Sequence, residues 1–327
     1  MSFPSVRLRR LRRTPAMRSL MNKTVVNPSD LIHPLFVDET ATAPISIQAM
    51  PGCFRLPLDQ VVEDVRQATE QDVSAVMLFG VPAKKDATGS GAFADDGIVQ
   101  QATRRLKNAF GDELVVITDV CLCEYTRHGH CGVIKDGDVE NDQTLTLLQK
   151  TAVSQAQAGA DMVAPSAMMD GQVQAIREGL DDAGFDQTAI MSYAVKYSSS
   201  FYGPFREAAD STPKFGDRKS YQMSYGNPSE ALREAELDID EGADIIMVKP
   251  ALAYMDIVSL VKSRFHVPVA AYNVSGEYAM IKAAAQNGWI DEKAAALEVL
   301  TGLKRAGADL IITYFAKDVK TWLNQQR

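Results

Sequence analysis

Eight short runs of apolar residues, rich in β-branched and aromatic side chains, recur along this chain and limit the folds open to it. They are LIHPLFV (ending at Val37), SAVMLFG (74–80), LVVITDV (114–120), MVAPSA (162–167), IMSYAVK (190–196), IIMVKP (245–250), VPVAAYNV (267–274) and LIITYFA (310–316). Amphipathic segments lie between them, among them LDQVVEDVRQATEQ (58–71), TLTLLQKTAVSQAQAGA (144–160), SEALREAELDIDEGA (229–243) and EKAAALEVLTGLKRAGA (292–308). Strand followed by helix, eight times over, predicts an α/β fold of the closed (β/α)8 TIM-barrel type. An internal echo supports one reused βα unit: AGADMVAP (158–165), EGADIIMVKP (241–250) and AGADLIITYF (306–315) each run from a glycine through Ala-Asp into a strand. The glycine suits the left-handed cap that ends a helix. A doubly wound open sheet is the competing architecture, but no glycine-rich phosphate loop opens an early helix. The expected organisation is an N-terminal arm, residues 1–30, ahead of one catalytic barrel, residues 31–327.

The net charge of −8 argues against nucleic acid as a partner. No apolar run approaches the roughly 20 residues of a membrane span. Three of the four cysteines fall within eleven residues, which favours a reducing compartment over a disulfide framework. The arm is unusual: Arg7, Arg9, Arg10, Arg12, Arg13 and Arg18 crowd its middle. Such a segment can be a solvated or partner-hugging arm, an organelle transit peptide, or a nucleic-acid contact. An arm packed on a neighbouring subunit is the reading carried forward, which makes the chain a homo-oligomer. With no long extension ahead of the arm, a cytoplasmic location is expected.

The C-terminal ends of the strands hold the active site in a barrel of this kind. Lys249 ends the sixth run and Lys196 the fifth, so neighbouring strands aim two ammonium groups into one cavity. An exposed lysine has a pKa of ~10.4 and is almost wholly charged at neutral pH. A nearby cation and partial desolvation lower that value and release a neutral amine able to form a Schiff base. The alternative is a pair of solvated or ion-paired side chains, with Asp119 and Asp170 as partners. After the third run, TDVCLCEYTRHGHCG (118–132) sets Cys121, Cys123 and Cys131 in C-x-C-x7-C spacing, beside His128 and His130. Three thiolates with an open fourth place describe a catalytic zinc; His130 as a fourth ligand would make the site structural. Reduced or redox-active thiols are the competing reading, and Cys53 reads as a packed thiol. Between the fifth and sixth runs, residues 197–223 form a long segment rich in Ser, Gly, Pro and aromatics. Such segments are often lids. This one carries Arg206, Arg218 and Lys219, which suit carboxylate binding or a merely solvated basic loop.

GADIIMVKPALAYMDI (242–257) resembles the active-site signature of the porphobilinogen synthase (5-aminolevulinate dehydratase) family. The likeness runs through MPG (50–52), DVCLCEYTRHGHCG (119–132), APSAMMDG (164–171), FYGPFREAA (201–209), GDRKSYQM (216–223), VSGEYAMIKAAAQNG (274–288) and LKRAGADLIITYFA (303–316). The resemblance implies a lyase that condenses two 5-aminolevulinate molecules into porphobilinogen, losing two waters, in tetrapyrrole (haem) biosynthesis. It implies Lys249 as the principal Schiff-base lysine, Lys196 as the second and Asp119 as an acidic active-site group. It assigns Cys121, Cys123 and Cys131 to zinc. Arg206, Arg218 and Gln222 would hold one substrate carboxylate, Ser275 and Tyr314 the other. Glu234 would serve an allosteric magnesium, and the arm would help build an octamer. Asn273, Val195 and SYGNPSE (224–230) depart from the family text without removing a catalytic group. A lysine-imine aldolase gives no reason for three thiols, and a zinc-clipped binding barrel leaves the two lysines without work.

Overall fold

The computed structural model describes residues 5–325, so residues 1–4 of the expected arm and 326–327 of the expected barrel lie outside the described residues. Eight parallel strands among the described residues close on themselves: β1 (Leu31–Asp38), β2 (Ala75–Val81), β3 (Val115–Val120), β4 (Met162–Pro165), β5 (Ala189–Lys196), β6 (Ile245–Lys249), β7 (Val269–Asn273) and β8 (Leu310–Thr313). Each pairs with the next, and β8 returns to β1 with Leu31 opposite Ile311 and Ile32 opposite Ile312. The fold is the expected TIM barrel. All eight apolar runs contain a strand, although the last ends at Thr313 and turns directly into the helix Ala316–Asn324.

Helices cover the barrel with their apolar stripes. In Ile98–Phe110 the residues Ile98, Val99, Ala102 and Leu106 are buried and pack with Leu78 and Val116 of the sheet. Full burial of one such aliphatic side chain is worth roughly 1.5–3 kcal/mol. Two small hairpins were not anticipated. Ile45–Ser46 pairs with Phe54–Pro57, which adds to β1, and Val133–Lys135 pairs with Asp138–Glu140. The second turns through Asp136 (φ 53°) and Gly137 (φ 88°), two successive left-handed residues that the Asp-Gly pair accommodates readily.

The repeated Gly-Ala-Asp motif acts at the N-terminal end of the barrel. Gly159, Gly242 and Gly307 have φ of 102°, 107° and 117°, the expected left-handed caps. The aspartates do something further. Asp161, Asp244 and Asp309 each donate their backbone N–H to the carbonyl of Val116, Ile190 and Val269, respectively. Each then accepts, through its carboxylate, the backbone N–H of that same residue, at 2.7–2.8 Å. One residue thereby grips the start of the neighbouring strand from both sides.

The arm has a turn at Leu8–Arg12 and a short helix, Pro15–Met21, whose N-cap Thr14 accepts from the Met17 N–H at 3.2 Å. Leu8 and Leu20 are 71% and 73% exposed. Among the described residues no helix is long and apolar enough to cross a membrane.

The aspartate grip gives a stability prediction. Asp244→Ala strands the N–H of fully buried Ile190 and should cost about 1–2 kcal/mol in denaturant unfolding. Asp244→Asn, which keeps an acceptor, should recover most of that loss.

Candidate active site

Strands β5 and β6 pair so that Lys196 lies directly opposite Lys249. Between Ile246 and Val248 the register shifts: two steps along β6 match three along β5, from Ser192 to Val195. This bulge changes the alternation of β5, so Tyr193 and Lys196, an odd number of residues apart, both face the cavity. Both amines lie near the Tyr193 ring, at 5.3 Å for Lys196 and 4.9 Å for Lys249. Lys196 and Lys249 are each only 5% exposed.

The two amines have different surroundings. Lys196 Nζ donates a hydrogen bond to the Ser166 carbonyl. Lys249 Nζ sits instead among four rings, Tyr272 (4.3 Å to the centroid), Tyr193, Phe205 (5.0 Å) and Tyr202 (5.3 Å). Burial, reinforced by the charge of Lys196, pushes Lys249 down to about 7, against the pull of Asp119. Burial, reinforced by Glu124, pushes Asp119 up to about 7. Asp119 Oδ2 accepts from Ser166 Oγ at 3.1 Å, while its Oδ1 is buried without a hydrogen-bond partner. Among the described residues neither lysine forms an ion pair within 4.0 Å. Asp170 lies apart from the lysines, in a separate cavity beside Glu234.

The loop after β3 brings Cys121, Cys123 and Cys131 together, all buried, with their sulfurs within 4.8 Å of one another. Cys121 and Cys123 are 3.3 Å apart, and Cys123 lies 3.2 Å from a Glu124 oxygen. Hydrogen bonds from the other two sulfurs favour the Cys131 thiolate and hold it well below the usual thiol range. The converging soft donors fit zinc. His130 is not part of the cluster. Its ring contacts Tyr221 Oη at 3.1 Å and the Phe215 carbonyl at 2.9 Å, both on the lid. Cys53 is half-buried, and burial pushes its thiol up to about 11.

The segment 197–223 covers this cavity and is partly regular, with a turn at Ser200–Tyr202 and a helix at Gly203–Ala208. Phe205 wedges against Phe79 and Phe36 at the barrel mouth, with centroids 5.0 and 5.5 Å away. The Ser275 hydroxyl accepts from the Phe205 N–H at 2.9 Å and donates to the Phe201 carbonyl. Gly276 permits this approach, since a Cβ there would stand 2.5 Å from the Phe201 oxygen. Arg218 donates to the Gly129 and Ser211 carbonyls at 2.8 and 2.7 Å. Arg206 Nε, Arg218 Nε and both polar atoms of the Gln222 amide are buried without partners. Tyr314 stands behind Tyr272, with hydroxyls 3.1 Å apart. The cavity between lid and barrel is only about 20 Å³, room for about one water. A molecule much larger than water can enter only if this segment moves.

A family model for delta-aminolevulinic acid dehydratase matches residues 5–322. The delta-aminolevulinic acid dehydratase of Archaeoglobus fulgidus is 57% identical over 317 residues, covering 97% of this chain and 98% of that protein. That of Bacillus subtilis is 56% identical over 317 residues, with the same coverage. The chain belongs to the delta-aminolevulinic acid dehydratase family. It is an enzyme, a hydro-lyase. A solved structure of the Toxoplasma gondii family member, bound to its reaction product porphobilinogen, superposes with a TM-score of 0.95 at 45% identity, covering 98% of this chain and 92% of that one.

Of the residues singled out by the dehydratase resemblance, Lys196, Lys249, Asp119, Arg206, Arg218 and Cys123 line one cavity. Glu234 does not. It lies on the helix Pro228–Asp240 in a second cavity of about 410 Å³ with Asp138, Asp170, Glu230 and Asp238, roofed by lid residues 219–223, which place Gln222 here as well, and by Ser224. Burial and the neighbouring carboxylates raise its pKa. Among the described residues these carboxylates form no three-ligand set like that of the thiols. Sequence reasoning missed Glu124, Ser166, Tyr193, Tyr202, Phe205 and Tyr272. Glu124 adjoins the C-x-C pair and Ser166 lies just past β4, so position alone could have flagged both.

A zinc-binding role for the three thiols predicts a loss of metal affinity when one is removed. Cys121→Ala is expected to weaken zinc, in competition with a chromogenic chelator, by more than the roughly 100-fold that losing a ligand's supporting hydrogen bond can cost. An affinity equal to that of the unaltered chain would show that the thiols do not bind the ion.

Proposed function

We propose that this chain condenses two molecules of 5-aminolevulinate to porphobilinogen with loss of two waters, through imines at Lys249 and Lys196. The observation that carries this reading is the in-register pairing of two buried amines beside three converging thiols. A neutral Lys249 amine can attack a ketone carbon, and the resulting imine acidifies the adjacent C–H bonds. Asp119, close to half-protonated near pH 7, is suited to move a proton at those carbons. The unpartnered donors of Arg206, Arg218 and Gln222 are suited to one substrate carboxylate. Ser275 and Tyr314 are assigned to the other, the Ser275 hydroxyl exchanging its lid contacts for the substrate. Two anchored substrates convert a bimolecular coupling into an effectively intramolecular one. Cys121, Cys123 and Cys131 would hold zinc, which supplies Lewis-acid polarisation at the reacting carbonyl or amine when bound. The closed lid excludes water from the imines.

The reading extends to assembly and regulation. The exposed Leu8, Leu11 and Leu20 of the arm support packing on a second copy of the chain, within the octamer implied by the family likeness. Glu234 would hold an allosteric magnesium largely through water, as this ion prefers. Its cavity reaches Gln222 on the lid, a physical route from that site to substrate.

Incubation with 5-aminolevulinate should yield a pyrrole detectable by colorimetric assay, and borohydride should fix substrate on Lys249. Labelling of neither Lys249 nor Lys196 would contradict the mechanism. Because Lys249 is held below its usual range, its free-amine fraction grows as pH rises through about 7. Labelling should climb over that interval, well below the ~10.4 of an exposed lysine. Removal of residues 1–20 should shift the oligomer to smaller species in sedimentation, and an unchanged size would remove the role given to the arm.

A further inference from the structure

The four rings around Lys249 come from two places. Tyr193 and Tyr272 stand on β5 and β7, whereas Tyr202 and Phe205 stand on the lid. All four centroids lie within 5.3 Å of Nζ, inside the ~6 Å over which a ring face attracts a cation. Lys196, in the same cavity, has Tyr193 and the Ser166 carbonyl instead. A cation cage around an amine that must react uncharged would work against the reaction, unless the cation it serves is a later one.

Imine formation supplies that cation. The Lys249 nitrogen attacks the ketone carbon, and the carbonyl oxygen departs as water. That water carries off one N–H proton and one proton drawn from solvent, leaving the nitrogen with one hydrogen and the positive charge. The iminium nitrogen is bonded to carbon on both sides and has less room for hydrogen-bonding partners than an ammonium. Ring faces, which need no directed donor geometry, suit it better than carbonyl oxygens would.

We propose that lid closure completes this cage, so that Phe205 and Tyr202 stabilise the iminium on Lys249 and the iminium in turn holds the lid shut. The inference rests on the imine reading above and adds residues to it. Phe205 is well placed for the task because Phe36 and Phe79 fix its ring and Ser275 fixes its backbone. The charged and titratable groups facing Lys249 are Lys196 on β5, Asp119 on β3, Cys123 and Glu124 on the loop after β3, Arg206 and Arg218 on the lid, and the phenols of Tyr193, Tyr202 and Tyr272.

The test replaces Phe205 with 3,4,5-trifluorophenylalanine, which keeps its shape and weakens its face, with Phe205→Leu alongside. The probe is 4-oxopentanoate, which has the ketone and carboxylate but no amine and so stops at the imine. Borohydride trapping is followed against probe concentration and pH. Above the pH midpoint, where the competing form is the neutral amine, the concentration that half-fills the trappable imine should rise about tenfold with the fluorinated ring. The pH midpoint of trapping should move down, because weakening a cation-favouring face also disfavours the ammonium. A midpoint that moves up would mean that the variant merely admits water, and an unchanged midpoint and concentration would mean that the ring is only packing; either overturns the cage. Absence of trapping in the unaltered chain removes the imine and the cage together, whereas trapping indifferent to the ring removes the cage alone.

Discussion

The register of one strand pair, β5 against β6, is what the proposed chemistry of this barrel depends on. It places two lysines side by side beneath a cover that leaves each only 5% exposed. Two ammonium groups so placed would repel each other and lack hydration, so the pair is tolerable only when one is neutral or when anions stand close. Asp119, Glu124 and the three thiols supply potential negative charge nearby, but without a direct ion pair among the described residues. A close carboxylate would fix Lys249 as an ammonium. Here burial and the charge of Lys196, with no ion pair among the described residues to oppose them, leave its proton free to go.

The lid is joined to the thiol loop as well as to the barrel. The stretch between Cys123 and Cys131 meets it at four points: the Lys214 N–H on the His128 carbonyl, Arg218 on the Gly129 carbonyl, and the two nitrogens of His130 on Phe215 and Tyr221. Gly129 lies so close that a Cβ would stand 2.5 Å from the Thr212 carbonyl, and its φ of 72° independently favours glycine. The His130 ring therefore works on the cover rather than among the thiols, whereas the His128 ring contacts the Ala87 carbonyl of the loop after β2. Arg218 belongs to both systems, since the neighbouring sulfurs, the Cys131 thiolate foremost, outweigh the cost of its burial.

Strand-helix alternation made the barrel legible, and the strand-end rule then placed both lysines and the thiols at one mouth. The missed features have physical reasons. Tyr193 was hidden by the β5 bulge: strict alternation puts it on the opposite face from Lys196, and the sequence does not mark the extra residue. Phe205 and Tyr202 looked like ordinary lid aromatics because their partner, Lys249, lies more than forty residues away. Asp170 shares its charge with Asp119 but stands in the other cavity, a distinction that only the path of the chain after β4 decides. The Asp136-Gly137 turn was readable, and the hairpin it closes follows from turn chemistry alone.

The aspartate of the Gly-Ala-Asp repeat links the two ends of the barrel. Asp244 opens the segment that leads into β6 and grips Ile190 near the start of β5 by both its N–H and its carbonyl. It thereby fixes the starting register of the same two strands that carry the lysines. From that point the β5 bulge takes up one residue, and Lys196 arrives opposite Lys249. Without the bulge, the same grip would set Val195 against Lys249 and turn Lys196 away from its partner. A stabilising contact at one end and a local irregularity in the middle thus jointly determine which atoms meet at the other end.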